Sequence, residues 1–132
     1  MRYFTVKEAE ALIPELEKIF EALIETNAKT EAKNSQIQEM KVNKSKDAAG
    51  LAIETSQLEF LINSMNGWLN KILDTGALPK GLDPALVDFP YRLKDREVYL
   101  CWKLGDKKIT HYHGLEDGFA GRKPLAVAGR GK

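Results

Sequence analysis

Cysteine is almost missing from this chain: of its 132 residues only Cys101 carries a thiol. One cysteine cannot close an intramolecular disulfide, which excludes the small stapled folds of secreted proteins. No stretch approaches the roughly 20 consecutive apolar residues that a bilayer-spanning helix needs. The opening MRYFTVKEAEAL lacks an apolar signal core and becomes charged at once, so a soluble cytoplasmic protein is expected. Charge of one sign is also lacking. A net charge of +1 provides no general attraction to nucleic acid or to acidic membranes, and neither is an expected partner. Absent too are a phosphate-binding P-loop, a dinucleotide fingerprint, a C-x-x-C pair and a G-x-S-x-G elbow. There is no internal repeat or low-complexity tract.

What is present suits a single domain, 43% hydrophobic and 30% charged. A chain of this length buries roughly two-thirds of its unfolded surface. Residues 1–75 carry a net charge of −3 and residues 76–132 a net charge of +4, a mild polarity that suits self-association or an anionic partner.

Thr5 and Glu8 fit a capping box at a helix start. Apolar residues then recur at Val6, Ala9, Leu12, Ile13, Leu16, Ile19, Phe20, Leu23 and Ile24, painting one helical face. Pro14 falls inside this pattern and predicts a kink or a short first helix. The polar segment Lys41–Asp47 is the expected reversal. A second amphipathic helix follows, with Leu51, Leu58, Leu61, Ile62, Met65, Trp68, Leu69, Ile72 and Leu73 on one side and Asn63, Asn66 and Asn70 opposite. Gly76 is a natural stop. The polar tip, residues 27–50, is expected to be the least stable part. Two helices cannot enclose two stripes of this width. The C-terminal half and a second copy of the chain, forming a helical bundle, are the expected cover.

Beyond Gly76, the prolines and glycines of LPKGLDPALVDFP predict an irregular connection. Glu97–Leu104 and Ile109–His113 then alternate across Gly105-Asp106, as in a β-hairpin. The expectation is therefore an α+β fold over residues 1–132: a helical hairpin at 1–75, a β-hairpin region at 76–122 and a flexible tail at 123–132.

Loop parity decides which side chains meet. An even loop pairs Trp102 and Leu104 with Ile109 and places His111 and His113 on that face, away from Cys101. An odd loop brings Cys101 beside the histidines. Even parity is expected, because it matches apolar residues with one another.

His111 and His113 form an H-x-H pair; alternate strand residues sit roughly 6.5–7 Å apart, and from there two imidazoles can converge on a divalent metal such as zinc. Glu116, Asp117 or Asp88 would supply a third ligand, and an open position would permit hydrolytic chemistry. Without a metal, such histidines are a core residue and a half-exposed one. Cys101 would be a nucleophile only if a histidine lowered its pKa; otherwise it is a small buried hydrophobe. In Gly118-Phe119-Ala120-Gly121-Arg122, backbone N–H groups and a guanidinium suit an anion, and the G-x-x-G spacing matches an RNA-binding loop. The structural alternative is a tight turn, with Phe119 in the core and Arg122 paired to Glu116 or Asp117.

Several pieces carry a resemblance. Tyr3-Phe4-Thr5 with Glu8-Ala9, Leu12-Ile13-Pro14-Glu15-Leu16, Leu86-Val87-Asp88-Phe89-Pro90, Val98-Tyr99-Leu100-Cys101-Trp102 with Leu104-Gly105, and His113 with Gly118–Arg122 are similar to the prokaryotic domain-of-unknown-function family 2203. The likeness spans nearly the whole chain and implies a small cytoplasmic protein without an assigned activity. The family pattern has an aromatic where this chain has His111 and an acidic residue where it has Gly114. That sets His111 apart and leaves His113, Glu116, Asp117 and Arg122 as the nucleus of any shared site.

The leading functional expectation is a non-catalytic oligomeric interaction protein, a homodimer through the helices. The alternative is a metal- or small-ligand-binding protein, including a hydrolytic enzyme, centred on His113, Glu116, Asp117 and Arg122. A third reading places RNA at Arg122, Lys123, Arg130 and Lys132.

Overall fold

Thr5 opens the first helix. Its hydroxyl accepts the Glu8 N–H at 3.0 Å, and the Glu8 carboxylate accepts the Thr5 N–H at 2.8 Å, completing the capping box. Helix α1, Val6–Ala11, stops at Leu12, and α2 begins at once and runs Ile13–Val42. Pro14 thus falls in the first turn of a new helix, where a missing N–H forfeits no helical bond. The expected disturbance takes the form of a short first helix. Helix α3, Ala48–Asp74, is opened by the Asp47 carboxylate, which accepts the Gly50 N–H at 2.8 Å. Gly76, at φ 95°, ends it by donating its N–H to the Leu73 carbonyl. This computed structural model describes residues 2–43 and 47–125. The middle of the expected reversal and the expected tail from residue 126 lie outside them.

The region after Gly76 forms five strands rather than a two-stranded hairpin: β1 Leu78–Leu82, β2 Ala85–Leu93, β3 Arg96–Lys103, β4 His111–His113 and β5 Lys123–Pro124. They make one antiparallel sheet in chain order. The fold class is α+β, as expected. The stretch expected to be irregular is β1 and β2, because each breaker has a tolerated place. Gly81 sits at a shift of register in the β1–β2 pair, and Pro84 lies in the connecting turn. Pro90 lies beyond the end of β1, and its carbonyl accepts the Phe4 N–H at 2.8 Å. The N–H and C=O of one strand residue face the same edge, so the N–H that Pro90 lacks would have pointed away from β3.

Alternation gives the sheet two distinct faces. Val87, Phe89, Val98, Leu100, Trp102 and Tyr112 are buried on one, the face on which Phe89 meets Phe4 and Trp102 meets Phe20. Phe4 meets Phe89 edge-on at 5.1 Å between centroids, and Phe20 lies 5.9 Å from Trp102. Leu86, Asp88, Tyr99, Cys101, His111 and His113 belong to the other face by register.

The chain forms two compact units, one of Met1–Phe20 with Lys71–Lys132 and the other of Glu21–Asn70. The first holds the sheet and most of the core. The second is a helical hairpin in which Lys33 donates to Glu54 at 2.5 Å and to Gln57 at 2.7 Å. Among its described residues only Leu23 and Ile37 are buried hydrophobics. Leu51, Leu58, Leu61, Met65, Trp68 and Leu69 are half-buried, while Asn63, Asn66 and Asn70 face solvent as expected. Ile53 and Phe60 lie outside the predicted stripe and are 57% and 70% exposed. No helix among the described residues is long and apolar enough to cross a membrane.

Candidate metal and ligand site

The pairing of β3 with β4 sets the site. Tyr99 lies opposite His113, Leu100 opposite Tyr112 and Cys101 opposite His111. This corrects the expected even parity: His111 and His113 share the face of Cys101, not that of Trp102. The reason lies in the connection. Gly105-Asp106 does make a turn, with the Asp106 N–H donating to the Lys103 carbonyl at 2.9 Å. Leu104, however, donates back to Ala85 of β2, and the Trp102 indole N–H donates to the Asp106 carbonyl at 2.9 Å. Ile109 is fully buried ahead of β4, its N–H held by the Glu10 carboxylate at 2.8 Å. The residue expected to pair with the tryptophan face is thus an anchor in the loop.

With that register, three donors of different kinds meet on one face. Asp88 of β2 lies opposite Cys101 of β3, and His113 comes from β4. One carboxylate oxygen, the thiol sulfur and one imidazole nitrogen all lie within 4.8 Å of one another. All three residues are buried. His113 Nε2 is 3.0 Å from Asp88 Oδ1, and Nδ1 is 2.8 Å from the Gly114 carbonyl. A carbonyl oxygen can only accept, so Nδ1 carries a proton and Nε2 is the nitrogen directed at the cluster. The Tyr99 ring meets the imidazole edge-on at 5.6 Å.

Burial dominates the electrostatics. It raises the Asp88 carboxyl above its ordinary range, against the opposing pull of His113 and Lys80. It also pushes the Cys101 thiol up to about 11, with Asp88 adding to the rise and the Arg122 guanidinium opposing it. At neutral pH the thiol therefore keeps its proton. That argues against a nucleophilic Cys101, since the thiolate is the attacking species.

The cluster opens into a cavity of about 340 Å³ lined by Lys80, Tyr99, Glu116 and Phe119 among others. A larger groove of about 540 Å³ lies on the helical hairpin beside Lys29, Lys33, Gln57 and Phe60. Among the described residues the one group of converging metal-ligating side chains lies in the smaller cavity, not in this groove.

Of the residues singled out from sequence, His113 and Glu116 line this cavity. Arg122 does not pair with Glu116 or Asp117 as expected. Its guanidinium lies 4.3 Å over the Phe119 ring, and its charge opposes the rise of the Cys101 thiol. Phe119 is half-buried beneath it rather than in the core. Asp117 is exposed and closes the turn after β4, where its carboxylate accepts the Gly114 N–H at 3.1 Å. A Cβ on Gly121 would come within 2.8 Å of the Asp117 Cβ, whereas one on Gly114 would meet only the movable carboxylate end of that side chain. His111 is engaged with the Thr110 hydroxyl at 2.9 Å, and its nitrogens are not among the converging donors. Of the residues suggested for RNA, Arg130 and Lys132 lie outside the described residues. Asp88 was legible only as one of several third ligands, and Cys101 was set aside by parity. Reading LVDFP as a strand would have put Asp88 on the face of Cys101, leaving the histidines to be placed by the parity of the next pair.

Fold and site together define an α+β protein with a buried carboxylate–thiol–imidazole cluster at the base of a small cavity. The chain belongs to the family described as Uncharacterized conserved protein (DUF2203), whose model matches residues 2–125. No curated protein and no solved structure matches it.

Proposed function

We propose that the protein binds one divalent ion of the zinc type at Asp88, Cys101 and His113, leaving a coordination position open to the cavity. The observation that carries this reading is the convergence of three unlike donor atoms within 4.8 Å, all on buried residues. Ligand bonds of about 2.0–2.3 Å place tetrahedral donors roughly 3.5 Å apart, so small side-chain movements close the set. The Nδ1–H of His113 donates to the Gly114 carbonyl, as the second nitrogen of a metal-bound histidine commonly does. Charge supports the same reading. Burial disfavours both the Asp88 carboxylate and the Cys101 thiolate, and a divalent cation supplies the charge that stabilises them. An ion with three protein ligands and one open position supplies Lewis-acid chemistry of the hydrolytic kind.

Elemental analysis of protein purified without chelator is expected to give about one zinc-type ion per chain. Cobalt substitution should produce a thiolate-to-cobalt charge-transfer band that Cys101→Ser abolishes and His111→Ala leaves unchanged. Second-site behaviour of this kind ties the ion to Cys101 rather than to the H-x-H pair. Failure of the metal-free protein to take up zinc or cobalt would overturn the reading. Affinity should rise with pH, because binding must displace the Cys101 proton.

A second reading concerns the helices. The exposure of Phe60 and Ile53 on the Glu21–Asn70 unit favours self-association through this face, with a second copy of the chain as the partner. A sharp monomer in sedimentation at micromolar concentration would remove it.

A further inference from the structure

We infer that this site hydrolyses a small uncharged acyl compound, an ester or amide, with the Glu116 carboxylate taking a proton from water held at the open position. The inference rests on the metal reading above and adds to it a base and a substrate class.

Glu116 lies in the turn that follows His113, which the Asp117 carboxylate closes on the Gly114 N–H, and it lines the same cavity as all three ligands. Of the carboxylates on the cavity wall, Asp88 is engaged as a ligand, and Glu116 is the one left for proton transfer. Its side chain is exposed and enters no ion pair among the described residues, so it can turn toward the ion. The step balances without a redox partner. As the water oxygen bonds to the acyl carbon, Glu116 takes one of its protons. The bond from that carbon to the alcohol oxygen or amine nitrogen then breaks, and Glu116 returns the proton to the leaving atom. The products are a carboxylic acid and an alcohol or amine.

Counting charge gives the substrate class. The two positive charges of the ion are matched by the Asp88 carboxylate and the Cys101 thiolate. Lys80 and Glu116 are the other charged residues of the lining, and they cancel. A charged substrate would give up hydration here without meeting a net counter-charge, whereas an uncharged carbonyl compound gives up far less. Tyr99, Leu115 and Phe119 form walls for its carbon part, and Leu115 is a large apolar side chain left 51% exposed. At about 340 Å³ the cavity is near the small end of ligand pockets, roughly 300–1,000 Å³, which suits a short acyl group and not a nucleotide or a peptide.

The test is steady-state hydrolysis of para-nitrophenyl acetate, an activated and uncharged ester, by the full-length zinc-loaded protein. The same protein without metal and the anionic para-nitrophenyl hemisuccinate are the comparisons. Zinc is expected to confer turnover that the metal-free protein lacks, with the uncharged ester the better substrate. Glu116→Gln should lower kcat about a hundredfold or more with KM nearly unchanged, and Glu116→Asp should restore part of the loss. Cobalt uptake by both variants should equal that of the unsubstituted protein, showing that fold and metal site are intact. Zinc uptake without turnover, a kcat unmoved by Glu116→Gln, or preference for the anionic ester would each overturn this inference and leave the metal reading in place. So would loss of cobalt uptake in Glu116→Gln, the mark of a fourth ligand rather than a base. Absence of zinc and cobalt uptake by the unsubstituted protein would remove both.

Discussion

Asp88 governs the electrostatics of the cluster. Burial raises its carboxyl above the ordinary value of 3.8, and the interaction with His113 only partly opposes this. A raised carboxyl favours the protonated form in the folded chain. The stability linked to it is fully present below 3.8 and is lost as pH rises through the raised value. Asp88→Asn, neutral at every pH, should therefore gain on the unsubstituted protein as pH rises through that window, both measured metal-free by urea denaturation. A difference in midpoint that stays constant across the acid range would show that the carboxyl's burial is not felt. Added zinc should reverse the order, stabilising only the chain that retains the carboxylate. At a free concentration of a hundred times Kd that gain is about 2.7 kcal/mol.

Elements differ in how much of them the residues announce. The helices were legible because their signals are local. Thr5 with Glu8, Pro14 and Gly76 each act through backbone groups within one turn, and each marks a boundary found in the fold. β1 and β2 were hidden because the permissions for their breakers are tertiary: Pro90 is tolerated only because β1 ends short of it and Phe4 meets its carbonyl. The parity of the β3–β4 pair was hidden for the same reason, since Glu10 and Trp102 fix a loop that sequence alone leaves free. With parity went the place of Cys101, and so the cluster itself. Trp102 is the test at this scale. It is fully buried, and its indole N–H holds the Asp106 carbonyl in the loop that sets the register. Trp102→Phe keeps most of the aromatic packing but leaves that carbonyl without its donor, at a cost of about 1–3 kcal/mol. The same variant should weaken cobalt binding, because His113 reaches the cluster only through this register. Lost stability with unaltered metal affinity would show that the loop does not position the histidine.

At the scale of the molecule, apolar burial is unevenly shared. The unit of Met1–Phe20 with Lys71–Lys132 contains the paired sheet and nearly all the buried hydrophobics, whereas Glu21–Asn70 buries only Leu23 and Ile37 among its described residues. Opening free energy follows buried apolar contacts, so the hairpin should open more readily than the sheet. Amide hydrogen exchange of dilute protein is expected to show faster exchange through residues 27–43 and 48–64 than through residues 98–102. Self-association supplies a second, separable effect. If a second copy covers Phe60 and Ile53, protection in the hairpin must rise with protein concentration while that of the sheet core does not. Phe60→Glu puts a charge on a side chain that is 70% exposed in the single chain, so it should leave the monomer's stability nearly unchanged. It should also abolish the concentration dependence. Concentration-independent exchange in the unsubstituted protein would count against the dimer, and a hairpin as protected as the sheet in dilute solution would show that its exposed stripe is no measure of its stability.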